Sequence, residues 1–553
     1  MLEGCVPWPA EQAARYRARG WWEGITIAQM LARRADLHPE KTALVCAEQR
    51  LSYRNLVETS DRLACRFLQA GIAAFDRVVV QLPNGPEFVH AYFALTRIGA
   101  IPVMALRAHR HTEVRHFVRA SGATAYVIPD RIGAFDYREM AAEIQSEFRG
   151  LRSVFVAGEP ARGQRDLREM IAAPMSAETA RVALSALGTD PSEVATMLLS
   201  GGTTSLSKLI PRTHDDYVLN ARLCGRAAGF DENTVFMAIL PLGHNYNLAS
   251  PGMLGTFYYG GRVVLAPSGD PAAVFSLVER ERVTTIAAVV PLISNWLNSP
   301  VPDGHDLSSL KVIQNGGARL APELRSQLRT RLGCMPQEIY GTAEGLINIV
   351  PLDAPEEYLL HSSGMPVCED DEIKVIDDAG NELPDGSLGE LATRGPYTIH
   401  GYYHAPDKNA EAFTPDGFYR MGDIVRKDGR YIYTEGRRKD LINRGGEKIS
   451  CEEVENLIFS HPKVKAVTLV AMPDPVFGEK ACAFVIAKPG QSLEFAELIG
   501  FLRQQNIASF KLPERLELVS EFPVSPVGKI LKRQLRERIA EKLENEKTGG
   551  ARV

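Results

Sequence analysis

Short apolar runs rich in β-branched residues recur along the chain and alternate with amphipathic stretches. Most of these runs end close to a glycine or a proline. Uninterrupted apolar runs of this length are typical of strands that are buried on both faces of a sheet. The runs with this character are Arg77–Leu82, Thr124–Pro129, Val194–Leu199, Val235–Leu240, Thr285–Pro291 and Lys311–Gln314.

Two of the intervening stretches show clear helix starts. Pro271–Arg282 and Pro322–Leu332 both open on proline, which is tolerated at the first helical position because the first amide groups of a helix need no partner within it. Strands that alternate with helices favour parallel sheets connected by helical crossovers. We therefore predict an α/β fold with largely parallel sheets.

The C-terminal hundred or so residues are predicted to form a separate small unit. The chain has 553 residues, which exceeds the size of one ordinary domain. The charged tetrapeptide Arg437-Arg438-Lys439-Asp440 follows a glycine and is the candidate hinge. We predict a large N-terminal domain over 1–436, a hinge over 437–440 and a small α+β domain over 441–553.

Composition excludes several classes of function. The net charge is −5, so no global basic field attracts nucleic acid. The eight cysteines form no CxxC pair, which argues against structural zinc and fits a reducing compartment. No stretch of about 18 apolar residues predicts a membrane span, and the N-terminus lacks the pattern of a signal peptide. We expect a soluble cytoplasmic protein.

The segment Ser200–His214 directly follows an apolar run and is dense in glycine, hydroxyl side chains and lysine. Glycines allow backbone N–H groups to approach a phosphate, hydroxyl groups add donors and a lysine adds a point charge. The spacing differs from that of a Walker A loop. A flexible surface turn is the alternative interpretation. The candidate phosphate-binding residues are Ser200, Gly201, Gly202, Thr203, Thr204 and Lys208.

Four further motifs place polar residues in glycine-rich surroundings. Taken alone, each motif is also typical of a solvated turn or surface residue. The chemistry that each one offers is, in turn, a carboxylate that can hold a cation, a flat backbone that can face a purine, an acid that can accept hydrogen bonds from ribose hydroxyls, and a lysine near the C-terminus. The motifs are Ile339–Ile349 with Glu344, Gln314–Arg319, Tyr419–Asp423 with Asp423, and Pro523–Arg533 with Lys529.

The order and spacing of SGGTTSLSK, YGTAE, YRMGD, GRRKD and PVSPVGK resemble the adenylate-forming superfamily over nearly the whole chain. LSGGTTSLSKLIPRTHDDY, LPLGHNYNLASPG and the N-terminal PWP…RYRARGWW resemble, more narrowly, the stand-alone aryl-acid adenylating enzymes of catechol siderophore pathways. These are 2,3-dihydroxybenzoate–AMP ligases, with salicylate–AMP ligases as near relatives. Ala343 departs from the wider superfamily, which often has threonine there.

This resemblance implies a large N-terminal domain, a short hinge and a small mobile C-terminal domain, with the active site between the domains. ATP is the expected cosubstrate and Mg²⁺ the expected metal. The implied roles are phosphate binding by the Ser200–Lys208 residues named above, Mg²⁺ binding by Glu344, adenine binding by Gly316, Gly317, Ala318, Tyr340 and Gly341, ribose binding by Asp423 and Arg437, bridging of carboxylate and α-phosphate by Lys529, and the hinge at Lys439.

The resemblance also places the aryl pocket at His244–Ser250. His244 is counted there among the catalytic residues, Asn245 would bind an ortho hydroxyl, Tyr246 would stack on the ring, and Ile347 would close the floor. Ser250 would bind a second hydroxyl, which favours 2,3-dihydroxybenzoate, whereas the bulk of Ile347 favours salicylate. The short tail after Lys529 predicts that the acceptor is a phosphopantetheinylated aryl carrier protein supplied in trans.

Two rival functions remain open at this stage. An aryl-CoA ligase would use coenzyme A instead of the carrier-bound thiol. A non-catalytic protein that senses an acyl-adenylate or scaffolds a synthetase complex would need no lysine at the reacting centre. The presence of Lys208, Glu344, Asp423 and Lys529 together favours an enzyme.

Overall fold

The computed structural model describes residues 1–200, 207–437, 441–444, 447–505, 507–525 and 529–549. The strands within these ranges are β1 Thr42–Cys46, β2 Gln49–Ser52, β3 Arg77–Val80, β4 Ile101–Met104, β5 Ala125–Pro129, β6 Arg131–Ile132, β7 Phe135–Asp136, β8 Ser153–Ala157, β9 Arg165–Asp166, β10 Val194–Leu199, β11 Leu209–Thr213, β12 Val235–Ala238, β13 Arg262–Leu265, β14 Thr285–Ala288, β15 Val312–Gly316, β16 Met335–Thr342, β17 Gly345–Ile349, β18 Met365–Pro366, β19 Glu372–Ile376, β20 Leu388–Arg394, β21 Tyr419–Asp428, β22 Tyr431–Arg437, β23 Ile442–Arg444, β24 Glu447–Ile449, β25 Val464–Asp474, β26 Gly478–Ala487 and β27 Arg515–Leu518.

The α-helices of the same ranges are α1 Ala10–Ala18, α2 Ile27–Leu37, α3 Tyr53–Gln69, α4 Pro86–Arg97, α5 His111–Ser121, α6 Tyr137–Glu147, α7 Leu167–Ala172, α8 Ala177–Ser185, α9 His214–Ala227, α10 Asn245–Ala249, α11 Gly252–Tyr258, α12 Pro271–Glu281, α13 Val290–Leu297, α14 Pro322–Leu332, α15 Glu356–His361, α16 Pro406–Ala412, α17 Cys451–Phe459, α18 Phe495–Gln504 and α19 Lys532–Gly549. None of the helices in the described ranges has the length and apolar character needed to cross a membrane.

Two large sheets organise the N-terminal part of the described chain. One has the strand order β18-β17-β16-β15-β14-β12-β13-β1-β2, and the other has the order β11-β10-β4-β3-β5-β8-β9. Both are parallel in their interior and have antiparallel strands at an edge: β2, β17 and β18 in the first, and β11 in the second. The predicted α/β class with largely parallel sheets is confirmed.

One predicted strand includes the start of the helix that follows it. The run Thr285–Pro291 was expected to be extended throughout, but β14 ends at Ala288 and α13 begins at Val290. Pro291 lies in the first turn of α13, where its missing amide hydrogen costs nothing because those first amides have no partner inside the helix. The apolar side chains continue across the boundary because both elements are buried.

A third sheet differs from the first two in being antiparallel. It has the order β19-β20-β21-β22 and follows the parallel body in sequence. Along β21 buried and partly exposed residues alternate, as expected for a strand with one face on the core and one towards solvent. This sheet holds the Tyr419–Asp423 motif on a strand and not on a turn.

Residues after the third sheet have a core of their own. The strands form the order β24-β23-β26-β25, with β27 pairing to β26. Ile442, Val454, Leu469, Val485 and Leu498 are among the residues that pack there. The Ser450 hydroxyl donates to the carbonyl of Glu435 at 2.6 Å, which joins this part to β22. Residues 438–440 lie outside the described ranges, so the hinge at 437–440 stays a prediction.

Helix α9 lies in the centre of the N-terminal part and links the second sheet to the site. The Thr213 side chain caps its first turn and Asp216 returns a bond to the Thr213 amide, which forms a capping box. Residues on all sides of α9 are buried, so its polar side chains must find partners within the protein.

Candidate active site

Glu344 lies in the tight turn that joins β16 to β17. Its backbone carbonyl accepts a hydrogen bond from the Ile399 amide at 2.8 Å. Gly345 has φ +148°, and a Cβ there would lie 2.4 Å from Thr398 Cα, so only glycine fits beside this crossing segment. The buried Glu344 carboxylate accepts from the Tyr402 hydroxyl at 2.9 Å. The turn therefore fixes the carboxylate in one position.

Lys208 lies on the same side of the site as Glu344. Its ammonium group is 4.1 Å from the centre of the Tyr402 ring, the ring whose hydroxyl binds Glu344. Burial lowers the pKa of Lys208, and the negative charge of Glu344 opposes this effect. The Lys208 amide donates to Ser200 Oγ at 2.9 Å, and the Ser200 amide donates to the Lys208 carbonyl at 3.0 Å. Gly201, Gly202, Thr203 and Thr204 lie outside the described residues.

The residues predicted to bind ribose and adenine come from two sheets that meet at Tyr340 and Asp423. The Tyr340 hydroxyl donates to the buried Asp423 carboxylate at 2.8 Å. Asp423 on β21 is the backbone partner of Arg437 on β22. Gly341 is held between strands, since a Cβ there would lie 2.3 Å from the Leu346 carbonyl.

The Gly316-Gly317-Ala318 segment leaves the end of β15, and each glycine has a steric reason. A Cβ at Gly316 would lie 2.8 Å from Tyr246 Cε1, so the missing side chain makes room for that ring. Gly317 has φ +89°, which glycine adopts at low cost. A Cβ at Gly317 would lie 3.4 Å from Lys529 Cε. Tyr246 and Lys529 thus approach the same two-residue stretch.

Lys529 reaches this stretch from the C-terminal part of the chain. Its amide donates to Ser525 Oγ at 3.1 Å, and its carbonyl accepts from the Ser525 amide at 2.7 Å. Burial, followed by the positive charge of Lys529, lowers the pKa of His244 to about 4. Lys529 therefore approaches Gly317, and its positive charge acts on His244. Lys439 lies outside the described residues.

The predicted aryl-binding residues form a buried polar network. Asn245 Oδ1 accepts from the Tyr217 hydroxyl at 2.8 Å, and Asn245 Nδ2 donates to Ser250 Oγ at 3.2 Å. His244 caps α10 by accepting from the Tyr246 amide at 3.3 Å. Ile347 is buried on β17, and its amide donates to the Tyr397 hydroxyl at 3.3 Å. The network contains no charged side chain among the residues named here.

Sequence reasoning missed the residues that support the Glu344 turn and the predicted aryl-binding residues. Arg212 and Asp216 form a fully buried ion pair at 2.7 Å. Arg212 also donates to the Ala343 carbonyl at 2.9 Å and to the Tyr397 carbonyl at 3.1 Å, so it braces the Glu344 turn. The charged residues Arg212, Asp215 and Asp216, directly after the apolar strand start at Leu209, were the available signal. Nothing local indicated Tyr397 or Tyr402.

The arrangement around Glu344 suits a single magnesium ion. Among the described residues, no group of three or more His, Cys, Asp or Glu side chains could hold a metal ion. Mg²⁺ is usually bound by one or two carboxylates together with substrate phosphates and water, and not by a cage of protein ligands. One buried carboxylate beside Lys208, the lysine predicted to bind phosphate, fits that requirement.

Comparisons with known proteins agree with this geometry. The family model described as AMP-binding enzyme matches residues 31–403, and the model described as AMP-binding enzyme C-terminal domain matches residues 453–529. A 2,3-dihydroxybenzoate-AMP ligase of Bacillus subtilis is 46% identical over 545 residues, which are 98% of this chain and 99% of the relative. A salicylyl-CoA synthase / salicylate adenylyltransferase of a Streptomyces species is 44% identical and covers 97% of each chain.

A solved structure extends the agreement to three dimensions. The apo structure of MbtA from Mycobacterium smegmatis superposes with a TM-score of 0.74 at 38% identity, covering 97% of this chain and 99% of that chain. Sequence match, motif order and fold thus agree over almost the full length. The chain belongs to the AMP-binding enzyme family, the adenylate-forming enzymes that the motif order predicted.

Proposed function

We propose that the protein uses ATP to convert an aryl acid, preferentially 2,3-dihydroxybenzoate, into aryl-AMP. It then passes the aryl group to the phosphopantetheine thiol of an aryl carrier protein in siderophore biosynthesis, in the cytoplasm. The observation that supports this best is the approach of Lys529 to Gly317, in the nucleotide motif, together with the effect of its charge on the pKa of His244, at the start of the aryl motif. A substrate carboxylate and an α-phosphate would meet between these two motifs.

The first half-reaction joins the two substrates. A carboxylate oxygen of the acid attacks the α-phosphorus of ATP in line. A bond forms between this oxygen and the phosphorus, and the bond from the phosphorus to pyrophosphate breaks. Lys529 would place its ammonium between the two anions, a role that suits a compact cation on a flexible stem. The protein contributes orientation and charge neutralisation, which can provide most of the rate enhancement in phosphoryl chemistry.

The charged residues around Tyr402 would receive the departing pyrophosphate. Lys208, with Ser200 and the Gly201–Thr204 residues, would bind the β- and γ-phosphates. Glu344 would hold Mg²⁺, which neutralises phosphate charge when bound. The bond from Tyr402 holds one carboxylate oxygen of Glu344 in place, so the side chain does not have to be ordered when the substrate arrives.

Asp423 and Tyr340 would bind the nucleoside. The Tyr340 hydroxyl occupies one side of the Asp423 carboxylate, which retains further acceptor capacity for the ribose hydroxyls. Arg437 is the backbone partner of Asp423 and would approach the same sugar. These strands belong to the N-terminal part, so the nucleoside can stay bound while the C-terminal part moves for the second half-reaction.

The buried network of Asn245 and Ser250 would bind the aromatic acid. Polar groups this deeply buried cost stability unless they bond to protein or ligand. Their position on α10 and its C-terminal end, beside the ring of Tyr246, suits a flat ligand with hydroxyl substituents. The Streptomyces relative named for salicylate marks a second candidate substrate, which the bulk of the buried Ile347 favours.

ATP–pyrophosphate exchange across a panel of benzoates tests the proposal. We expect the highest kcat/KM with 2,3-dihydroxybenzoate, lower values with salicylate, and little exchange with benzoate, which has no hydroxyl group. Thioester formation measured with coenzyme A and with a phosphopantetheinylated carrier protein then identifies the acceptor. Exchange with none of the aryl acids would refute the proposed function, and thioester formation with coenzyme A alone would refute the carrier protein.

A further inference from the structure

Helix α9 presents three polar side chains to the aryl motif. Tyr217, Asn220 and Cys224 are spaced by three and four residues, so they lie on one helical face. The Tyr217 hydroxyl donates to Asn245 Oδ1 at 2.8 Å. Asn220 Nδ2 donates to Ser250 Oγ at 3.1 Å. Burial raises the pKa of the Cys224 thiol, and a hydrogen bond with the neighbouring Ser250 opposes this rise. This face forms a layer behind the residues that would contact the substrate.

The orientation of the Asn220 amide follows from its neighbours. Asn220 Nδ2 also donates to the Ala249 carbonyl at 2.7 Å, and a carbonyl can only accept. The amide nitrogen must therefore face the end of α10, where it donates one hydrogen to the Ala249 carbonyl and the other to Ser250 Oγ. Both hydrogens of this amide nitrogen are used inside the protein.

The hydroxyl group of Ser250 is then almost fully committed. Its oxygen accepts from Asn220 at 3.1 Å and from Asn245 at 3.2 Å. A hydroxyl has two acceptor sites and one donor hydrogen, so only the hydrogen remains. The neighbouring Cys224 thiol is a weak acceptor. A bound substrate with a good acceptor atom would supply the strong partner that this hydrogen lacks.

Asn220 is a costly residue for a purely structural position. It is fully buried, and within the described part of the chain its Oδ1 atom has no hydrogen-bond partner. An unpartnered buried acceptor reduces stability, and an apolar side chain of similar size would avoid that cost. Fixing the direction of the Ser250 hydroxyl offers a reason to keep it.

We propose that Asn220 is a specificity-determining positioning residue that fixes Ser250 as a donor. The aryl site then selects acids with a hydrogen-bond acceptor at the ring position that faces Ser250, and it disfavours acids with a donor there. The inference rests on the proposed function and deepens it, since it states which polarity of substituent the site recognises.

The test compares three acids that differ at one ring position. 2,3-Dihydroxybenzoate offers a hydroxyl oxygen as acceptor, 3-aminosalicylate offers mainly N–H donors, and salicylate offers neither. We expect the wild type to prefer 2,3-dihydroxybenzoate to 3-aminosalicylate in pyrophosphate exchange. Asn220→Ala should raise the KM for 2,3-dihydroxybenzoate by about 2- to 13-fold, the range of one net hydrogen bond, and leave kcat and the salicylate KM nearly unchanged.

Asn220→Asp replaces the hydrogen-bond donor that faces Ser250 with an acceptor, with almost no change in the shape of the side chain. A carboxylate oxygen beside Ser250 would accept its hydrogen and free an oxygen lone pair for the substrate. The preference should then move towards 3-aminosalicylate. Salicylate turnover measures the folded active fraction of every variant, so ratios between acids stay readable even for a destabilised protein.

Asn247→Ala is the matched control. Asn247 lies on α10, the helix that ends next to Ser250, and is as buried as Asn220. Its amide donates to the Leu240 carbonyl at 2.7 Å and, among the described residues, is not bonded to Ser250. Its removal should change the KM values of the three acids by the same factor. Equal shifts for all acids in the Asn220 variants, or an unchanged order of acids in Asn220→Asp, would overturn the inference. A wild type inactive with every aryl acid would instead refute the proposed function.

Discussion

The two halves of the candidate site are built in opposite ways. The half predicted to bind phosphate and ribose contains Lys208, Glu344, Asp423 and Lys529, which come from widely separated parts of the chain. The half predicted to bind the aryl ring consists mainly of α9 and the following segment up to Ser250, with Ile347 added from β17. The four side chains of this half that bond to one another are neutral: Tyr217, Asn220, Asn245 and Ser250.

This difference reflects the cost of burying charge. A charged side chain cannot be enclosed without a partner, so it lies where a charged ligand or water can reach it. Neutral amides and hydroxyl groups can be buried once their bonds are satisfied internally. The aryl half can thus be preorganised within one folded unit, whereas the predicted charged half includes Lys529, which belongs to the C-terminal part.

Removing Lys529 should break the charged half and leave the aryl half intact. We expect Lys529→Ala to lower aryl-AMP formation by about 10²- to 10³-fold, as for the loss of one preorganised electrostatic group. Thioester formation from preformed aryl-AMP should fall much less, because we expect that step to use a different domain orientation. Exchange and thiolation assays measure the two steps.

Lys542 provides the matched control for Lys529. It is an exposed lysine of the same part of the chain, paired with Glu517 at 2.7 Å. Lys542→Ala should retain both half-reactions. Equal losses of both steps in Lys529→Ala would show that the substitution unfolds this part or that the assigned role is wrong.

Fixing the hinge should impair the second half-reaction and leave the first one intact. Lys439→Pro restricts φ at the predicted hinge and should block the rotation of the C-terminal domain. Adenylation should persist, while transfer to the carrier protein should fall by about tenfold or more as the conformational step becomes limiting. Lys439→Ala, which keeps φ free, is the control. Normal transfer in Lys439→Pro would remove this residue from the mechanism.

One buried acid connects the aryl half to pH. Burial raises the pKa of Asp371 to about 7, and its carboxylate accepts from the Tyr397 hydroxyl at 2.6 Å. A raised pKa favours the protonated form in the folded state, so this contribution to stability is complete below about pH 4 and is lost as pH rises through about 7. The same Tyr397 oxygen accepts from the amide of Ile347, the residue predicted to form the pocket floor.

Asp371→Asn removes this titration. The Tm of the variant minus that of the wild type should increase by a few degrees between pH 5 and pH 8. Thermal unfolding of both proteins across this range measures the difference. A difference that is constant with pH, or that decreases, would show that Asp371 does not titrate as its burial implies.

Replacing Ser250 should have the smallest effect, and within the aryl half only. Ser250→Cys exchanges a strong donor for a weak one. The preference for 2,3-dihydroxybenzoate over salicylate should narrow by about 2- to 13-fold, mainly through KM. Pyrophosphate exchange with both acids measures it. A wild type that already prefers salicylate would make Ile347 the stronger determinant.

Local sequence features were sufficient to predict single elements. Pro322–Leu332 was predicted as a helix and is found with those bounds, since its proline start is a local signal. Val194–Leu199 was likewise predicted as a strand and is found as one. Thr285–Pro291 was wrong at its end, because apolar character alone does not distinguish a buried strand from the buried helix that follows it.

The motifs likewise determined the family and the types of residue in the site. The spacing of short motifs depends only on the order of the chain, so it can be read without a structure. The roles assigned to the individual site residues remain predictions, and the segment from Gly201 to Thr204 lies outside the described residues.

Only the tertiary structure decided how these residues are supported. Arg212 reaches the carbonyl of Ala343 across 131 positions, and Tyr340 reaches Asp423 across 83. Asn220 and Ser250 meet because α9 and the α10 segment pack side by side. Such contacts depend on how sheets and helices are arranged around a common core, and each partner alone has an ordinary local sequence. The sequence therefore determined the chemistry available to this protein, and packing between distant segments decided which groups face each other.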